Sequence, residues 1–208
     1  PYWVPGHYIS NDVDISVEII EELFDVDISA HTDPKRISEN NGSVTLRHFK
    51  IQVGSLPPLH TLQIHITTWP DHGILVNSEA LLGLVSLKTY IMKKLTENCN
   101  VGKDRPIVVH CSAGSGRTGC FCCVDTAIDI LLNDKTELDE DGFEDPITPA
   151  SEFVGKSRVK DLIYNITSSF RTQRVAVVQN LRQYILIYDT LLSFLEIKSK
   201  ATQMHLLT

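Results

Sequence analysis

The chain has 208 residues, 42% of them hydrophobic, and a formal net charge of −7. That supplies one sizeable core. The acidic balance argues against nucleic acid, whose binders carry a basic face, and no apolar run reaches the ~18–20 residues of a membrane span. In chain order, Ser43 to Val53 and Thr61 to Thr68 read as strands, with Pro57-Pro58 in the connection. Ser78 is the expected N-cap of a long helix, followed by Glu79 and apolar positions at Leu81, Leu84, Val85, Leu87, Ile91, Met92 and Leu95. Ile107 to His110 reads as a short buried strand. Arg117 to Asn133 reads as a helix with Phe121, Val124, Ile128, Leu131 and Leu132 inward. Val159, Leu162, Ile163, Ile166 and Phe170 mark another helix, and a last one runs from Leu181 to Leu195 through Ile185, Tyr188, Leu191 and Leu192. The expected class is α/β (α+β): a central mixed, twisted sheet, antiparallel at its rim and flanked by helices, with no internal repeat.

The most informative run is His110-Cys111-Ser112-Ala113-Gly114-Ser115-Gly116-Arg117-Thr118-Gly119. A cysteine and an arginine stand six positions apart across small residues, after an apolar stretch and before a helical segment. Strand, small-residue loop and helix in that order make an oxyanion cradle, in which the N–H groups of Ser112 to Arg117 turn inward and the helix start adds its positive end. Arg117 supplies a planar fork for two oxygens. Cys111 sits beneath, where a thiol pKa of about 8.5 can fall to roughly 3.5–7.5. Thr118 can hydrogen-bond the thiolate. The plainer alternative is a glycine-rich turn with a buried cysteine; five residue types at these offsets argue against it.

This string resembles the signature loop of the cysteine-dependent protein tyrosine phosphatases, most closely the phosphotyrosine-specific, non-receptor branch. The resemblance implies hydrolysis of phosphotyrosine in proteins through a cysteinyl-phosphate, with no cofactor and no metal. Trp69-Pro70-Asp71-His72-Gly73 resembles the family's mobile acid loop. It implies that Asp71 protonates the leaving phenolate and later takes a proton from water, with Trp69 as hinge anchor and His72 tuning the loop. A Pro-Asp turn ending a strand is the alternative there. Gln179 and Gln183 lie at i and i+4 in the segment Gln173 to Tyr184, which resembles the loop that positions the hydrolytic water. The family usually shows Gln-Thr where this chain has Gln179-Asn180. Catalytic roles therefore fall on Cys111, Arg117, Asp71, Gln179 and Thr118. Substrate contacts fall on Cys111, Ser112, Ala113, Gly114, Ser115, Gly116, Arg117, Asp71, Gln179 and Gln183. A non-catalytic phosphotyrosine-binding module of the same fold is the rival reading. A dual-specificity enzyme is a third, against which the Gln179 to Tyr184 segment speaks.

The whole chain, residues 1–208, is expected to form one catalytic domain corresponding to the C-terminal two thirds of the usual one. Pro1-Tyr2-Trp3-Val4-Pro5 stands where the family has a Tyr-Trp-Pro string inside its domain, so the segment carrying the ring-recognising tyrosine is expected to be missing. Inserted Val4, and Val76 in place of proline, are smaller departures. Residues 134–150 form an acidic surface insert in which six of the nine residues from Glu137 to Asp145 are acidic. A solvated loop is the simple reading; the insert also resembles that of fungal phosphatases acting on MAP kinases. Cys99, Cys111, Cys120, Cys122 and Cys123 form no disulfide or metal pattern, and Cys120, Cys122 and Cys123 read as buried small hydrophobes. A working thiolate needs a reducing compartment, so cytoplasm or nucleus is expected, and the sequons at Asn41 and Asn165 carry little meaning. His110 is assigned a structural role. His7, His31, His48, His60, His65 and His205 show no ligand-like clustering. A monomer is expected.

Overall fold

The computed structural model of the chain describes residues 3–28, 42–98, 105–133 and 161–205. Strands β1 (Gly6–Ser10) and β2 (Val13–Asp27) form a hairpin closed by Asn11 and Asp12. Both turn residues are left-handed, with φ of 48° and 62°, as a two-residue turn of matching twist requires. β2 pairs with β3 (Ser43–Val53) and β3 with β4 (Leu59–His65), giving the order β1-β2-β3-β4. Every described pairing is antiparallel. The mixed sheet expected from the sequence is thus antiparallel among the described residues. The reason lies in residues 107–110, which form no strand. Ile107 is 47% and Val108 84% exposed, and of this run only Val109 packs against the core.

β1 and β2 were not foreseen as separate strands. β2 is bulged between Ile19 and Glu21 and again between Leu23 and Val26, where Asp25 has φ 52°. Each bulge breaks the two-residue alternation that marks a strand. Arg47 ties three strands together: it donates to Glu22 on β2 and to Gln63 and His65 on β4, each of the latter at 2.9 Å, while the Trp3 ring lies 5.6 Å from its guanidinium carbon. Its burial is tolerable because the charge is paired and hydrogen-bonded.

Four helices follow: α1 (Ser78–Asn98), α2 (Gly116–Asn133), α3 (Leu162–Gln173) and α4 (Leu181–His205). The cap of α1 is Asn77, one residue before the expected Ser78: its Oδ1 accepts the Ala80 N–H at 2.8 Å. Asp161 caps α3 by accepting the Tyr164 N–H at 3.0 Å. The core joins Leu81, Leu84, Val85 and Leu87 of α1 to Cys120, Cys123, Val124 and Ile128 of α2. Ile163 and Ile166 of α3 and Leu186, Ile187 and Leu191 of α4 complete it. The sheet contributes Ile28 and Val44, with Val26, Leu46 and Ile64 packed behind.

Leu132, expected inward on α2, is 56% exposed, and on α4 Ile185 is 48% and Leu192 59% exposed. On α4 the buried stripe is instead Gln183, Leu186, Ile187, Thr190 and Leu191. Where apolar residues stand side by side, as at Ile185-Leu186-Ile187, their spacing fixes the helix but not its phase. Helix α1 reaches the end of β2 through Gly83, where an added Cβ would fall well inside contact distance of the Ile28 carbonyl oxygen. A helical Gly→Ala exchange ordinarily gains ~1 kcal/mol. Here the clash is with backbone, so Gly83→Ala is expected to destabilise by about 1–3 kcal/mol, measured as a lower urea midpoint at unchanged m-value.

Candidate active site

The cradle is built by the turn into α2. Gly114 adopts φ 62°, a conformation that β-carbons resist, and the Gly119 N–H closes the turn on the Ser115 carbonyl at 2.9 Å. Gly119 also admits a close neighbour: a Cβ there would lie 2.8 Å from the Val178 nitrogen. That lets α2 touch the segment before α4, and the Val178 N–H reaches the Ser115 carbonyl at 3.4 Å. Gly116 plays the same part for the amides. A Cβ on it would lie 2.5 Å from Gln179 Oε1 and 2.8 Å from Gln183 Nε2. The cradle and the Gln179 segment therefore meet only because two positions lack side chains.

Cys111 is half-buried at the cradle. Burial alone would push its thiol up; the Thr118 hydroxyl and the N–H groups of Thr118, Ser115 and Gly114 outweigh it and bring the thiol from 9.0 down to about 7. Thr118 Oγ1 is buried with no partner at ordinary hydrogen-bonding geometry, and so is Arg117 Nε. An orphaned buried donor is costly. An ionised Cys111 sulfur for the hydroxyl, and an anion in the cradle for the guanidinium, would relieve both. The other described thiols behave oppositely: burial pushes Cys120 up to about 12 and Cys122 up to about 11, and raises Cys123. Cys120 and Cys123 are buried as expected, whereas Cys122 is half-buried.

Trp69 to Gly73 forms a tight loop over the cradle. Trp69 is buried and its Nε1–H donates to the Gly73 carbonyl at 3.2 Å, while the Gly73 N–H donates to the Pro70 carbonyl at 3.1 Å. The loop brings Asp71 to Arg117. Arg117 Nη2 donates to Asp71 Oδ1 at 2.9 Å, Nη1 to the Trp69 carbonyl at 3.0 Å, and Nη2 also to Ser112 Oγ at 2.8 Å. Ser112 Oγ in turn donates to Asp71 Oδ2 at 2.8 Å. The Ser112 hydrogen bond, together with the Arg117 charge, holds the Asp71 carboxyl below its usual range despite some opposing desolvation. A carboxylate held low keeps its partner at neutral pH and loses it as pH falls through the lowered value.

Gln179, exposed, lies with its amide against Gly116. Gln183, expected beside it as a substrate contact, is fully buried. Its Oε1 accepts the Gln179 N–H at 2.9 Å and its Nε2 donates to the Gly73 carbonyl at 3.2 Å. Both ends of the amide are thus engaged by backbone, and Gln183 ties the acid loop to α4 while lying against Gly116 of the cradle. Asn180 is similar in kind: its Oδ1 accepts the Gln183 N–H at 3.0 Å and its Nδ2 donates to the His72 carbonyl at 2.9 Å.

Two arginines were missed by sequence reasoning. Arg174 Nε donates to Ser115 Oγ at 3.0 Å and its Nη2 to the Ala113 carbonyl, bracing the cradle from outside. Arg171 donates to the Val177 and Val178 carbonyls at 3.0 and 2.9 Å. The only available signal was two arginines just upstream of Gln179 in a chain otherwise acidic. His110 Nδ1 lies 3.4 Å from the Cys111 carbonyl. His48 Nε2 and His60 Nδ1 lie 2.9 Å apart on adjacent strands. Among the described residues no group of three metal-capable side chains forms, and no helix is long and apolar enough to cross a membrane. Cys99 and the 134–150 insert lie outside the described residues.

Comparison with known proteins agrees with this geometry. The family model for protein-tyrosine phosphatase matches residues 19–193. Tyrosine-protein phosphatase 3 of Saccharomyces cerevisiae is 36% identical over 144 residues, covering 68% of this chain and 14% of the yeast protein. Mouse receptor-type tyrosine-protein phosphatase alpha is 29% identical over 192 residues, covering 92% of this chain and 18% of that protein. Among solved structures, the Trypanosoma cruzi protein tyrosine phosphatase TcPTP1 superposes with a TM-score of 0.59 at 26% identity, over 95% of this chain and 55% of that one. The chain belongs to the protein-tyrosine phosphatase family. It spans about half the length of that solved relative and a smaller part of the curated ones.

The cysteine environments generate a direct prediction. Iodoacetamide is expected to label Cys111 with a pH midpoint near 7 while Cys120 and Cys122 stay unlabelled. Thr118→Ala should move that midpoint upward. Peptide mass spectrometry of pulse-labelled folded protein checks both.

Proposed function

We propose that this chain hydrolyses phosphotyrosine in proteins through a cysteinyl-phosphate. The carrying observation is the convergence of Asp71 on Arg117 and Ser112, the latter next to Cys111 in the chain, which joins two sequence-distant segments into one site. In the first step Cys111 Sγ attacks phosphorus and the bond to the tyrosine oxygen breaks, with Asp71 giving that oxygen its proton. The amides of Ser112 to Arg117 and the Arg117 fork hold the phosphoryl oxygens. In the second step water, oriented by Gln179, attacks phosphorus, gives a proton to Asp71, and the Cys111 thiolate leaves.

Asp71 needs a proton to begin, yet Ser112 and Arg117 keep it low in the empty site. An arriving phosphoryl dianion resolves this. It draws Arg117 away and adds negative charge beside the carboxyl, both of which raise the pKa. Gln183 contributes by holding the loop rather than by touching substrate. Cys111, Arg117 and Asp71 are all present and brought together, which favours an enzyme over a silent phosphotyrosine-binding module.

The finer reading follows from chemistry. Thiolate catalysis needs a reducing compartment, which supports a cytoplasmic or nuclear setting and a signalling role on phosphotyrosine proteins. The acidic run at 134–150 supports docking of a basic segment such as a MAP kinase offers, and the single domain supports a monomer.

Cys111→Ser is expected to abolish hydrolysis of a phosphotyrosine peptide while retaining peptide binding. Asp71→Asn should lower kcat ~10²–10⁴-fold with KM little changed. Phosphoserine peptides should turn over far more slowly than phosphotyrosine ones. Stopped-flow phosphate release on one preparation measures all three; full activity of Cys111→Ser would overturn the reading.

A further inference from the structure

The acid loop is held on two sides, and only one of them survives the arrival of substrate. On the cradle side, Asp71 depends on Arg117 and Ser112, groups that a phosphoryl oxygen would claim. On the far side, the carbonyls of His72 and Gly73 accept from Asn180 Nδ2 at 2.9 Å and Gln183 Nε2 at 3.2 Å. His72 is the residue next to Asp71 and sits at φ 56°, a left-handed conformation that non-glycine residues hold only when their surroundings enforce it. The bond that meets the His72 carbonyl comes from Asn180. This asparagine uses both ends of its amide at once, for its Oδ1 accepts the Gln183 N–H at the start of α4.

We infer that Asn180 is a positioning residue that latches the acid loop through the His72 carbonyl and so keeps Asp71 over the leaving-group oxygen once phosphate has taken Arg117. The inference rests on the phosphatase reading above and adds to it a residue that touches neither substrate nor the reacting atoms. Asn180 immediately follows Gln179, so the same turn that presents the water-orienting amide grips the acid loop. The acid for the first step and the water position for the second are thereby set by one backbone turn. A threonine at this position could cap α4 with its hydroxyl, but one short hydroxyl oxygen cannot also donate to His72 from the same place.

Two variants separate the latch from the cap. Asn180→Asp keeps an oxygen for the Gln183 N–H and turns the donor facing His72 into an acceptor. Asn180→Ser keeps a capping oxygen without added charge and is too short to reach His72. Both residues are good N-caps, so the thermal midpoint should barely move. The informative readout is leaving-group dependence. The parameter to compare is kcat/KM, which reports only the phenol-releasing first step. On phenyl phosphate, whose phenolate needs a proton, it is expected to fall roughly 10- to 100-fold. On para-nitrophenyl phosphate, whose more acidic phenol needs less help to leave, it should fall much less. A loss of general folding integrity would lower both alike.

Equal rates for wild type and both variants on both esters, or equal losses on both esters, would overturn the latch. If the wild type turned over no aryl phosphate, the phosphatase reading itself would fail. The latch would then be read from Trp69 emission in a Trp3→Phe background. A shifted emission in both Asn180 variants at neutral pH supports it, and an unchanged emission overturns it.

Discussion

Arg117 commits both terminal nitrogens to the acid loop and its neighbour: Nη1 to the Trp69 carbonyl, Nη2 to Asp71 and Ser112. Its Nε is buried without a partner. In the proposed reaction this one guanidinium would face two anions in turn, the carboxylate of its own chain while the cradle is empty and a phosphoryl group when it is filled. The geometry of the fork suits both, because carboxylate and phosphate present paired oxygens at similar spacing. The exchange is what ties loop position, Asp71 protonation and anion binding into one event.

That exchange requires close approach of three chain segments, and two glycines permit it. Gly116 leaves room for the Gln179 and Gln183 amides, and Gly119 for the Val178 nitrogen and the Val177 side chain. Behind them stands a scaffold of backbone-directed hydrogen bonds, from Arg171 and Arg174 on one side and from Asn180 and Gln183 on the other. Most of these donors are aimed at carbonyls, so they hold the loops by their backbone and only the donor side chains need a fixed rotamer. The resulting site is preorganised where it binds the anion and adjustable where Asp71 must let Arg117 go.

The electrostatics are local. A chain of net charge −7 still presents a favourable anion site, because amide dipoles, a helix start and one arginine converge within a few ångströms. The same locality explains the four described cysteines. Cys120, Cys122 and Cys123 follow Cys111 within a dozen residues, yet their thiols are pushed up by burial while that of Cys111 is brought down by the Thr118 hydroxyl and the cradle amides. Reactivity is set by which atoms each sulfur faces.

The sequence by itself determined the cradle, because its function is carried by contiguous residues: His110 to Gly119 specify a small-residue loop, a nucleophile and a helix start with no help from elsewhere. It also marked Asp71 and Gln179 as candidates by residue type, and determined that α2 begins at the end of the loop. Only the tertiary structure decided how those parts meet. Gln183 shares a helix face with Gln179 in the sequence pattern, but burial turns its amide to the Gly73 carbonyl, 110 residues away along the chain. Asn180 and His72 are joined across 108 residues, and Arg174 and Ala113 across 61. No spacing rule marks such bonds, because their acceptors are backbone carbonyls that every residue possesses. The same holds for Val108: its local pattern fits a buried strand, and whether it is buried depends on partners the segment does not itself encode.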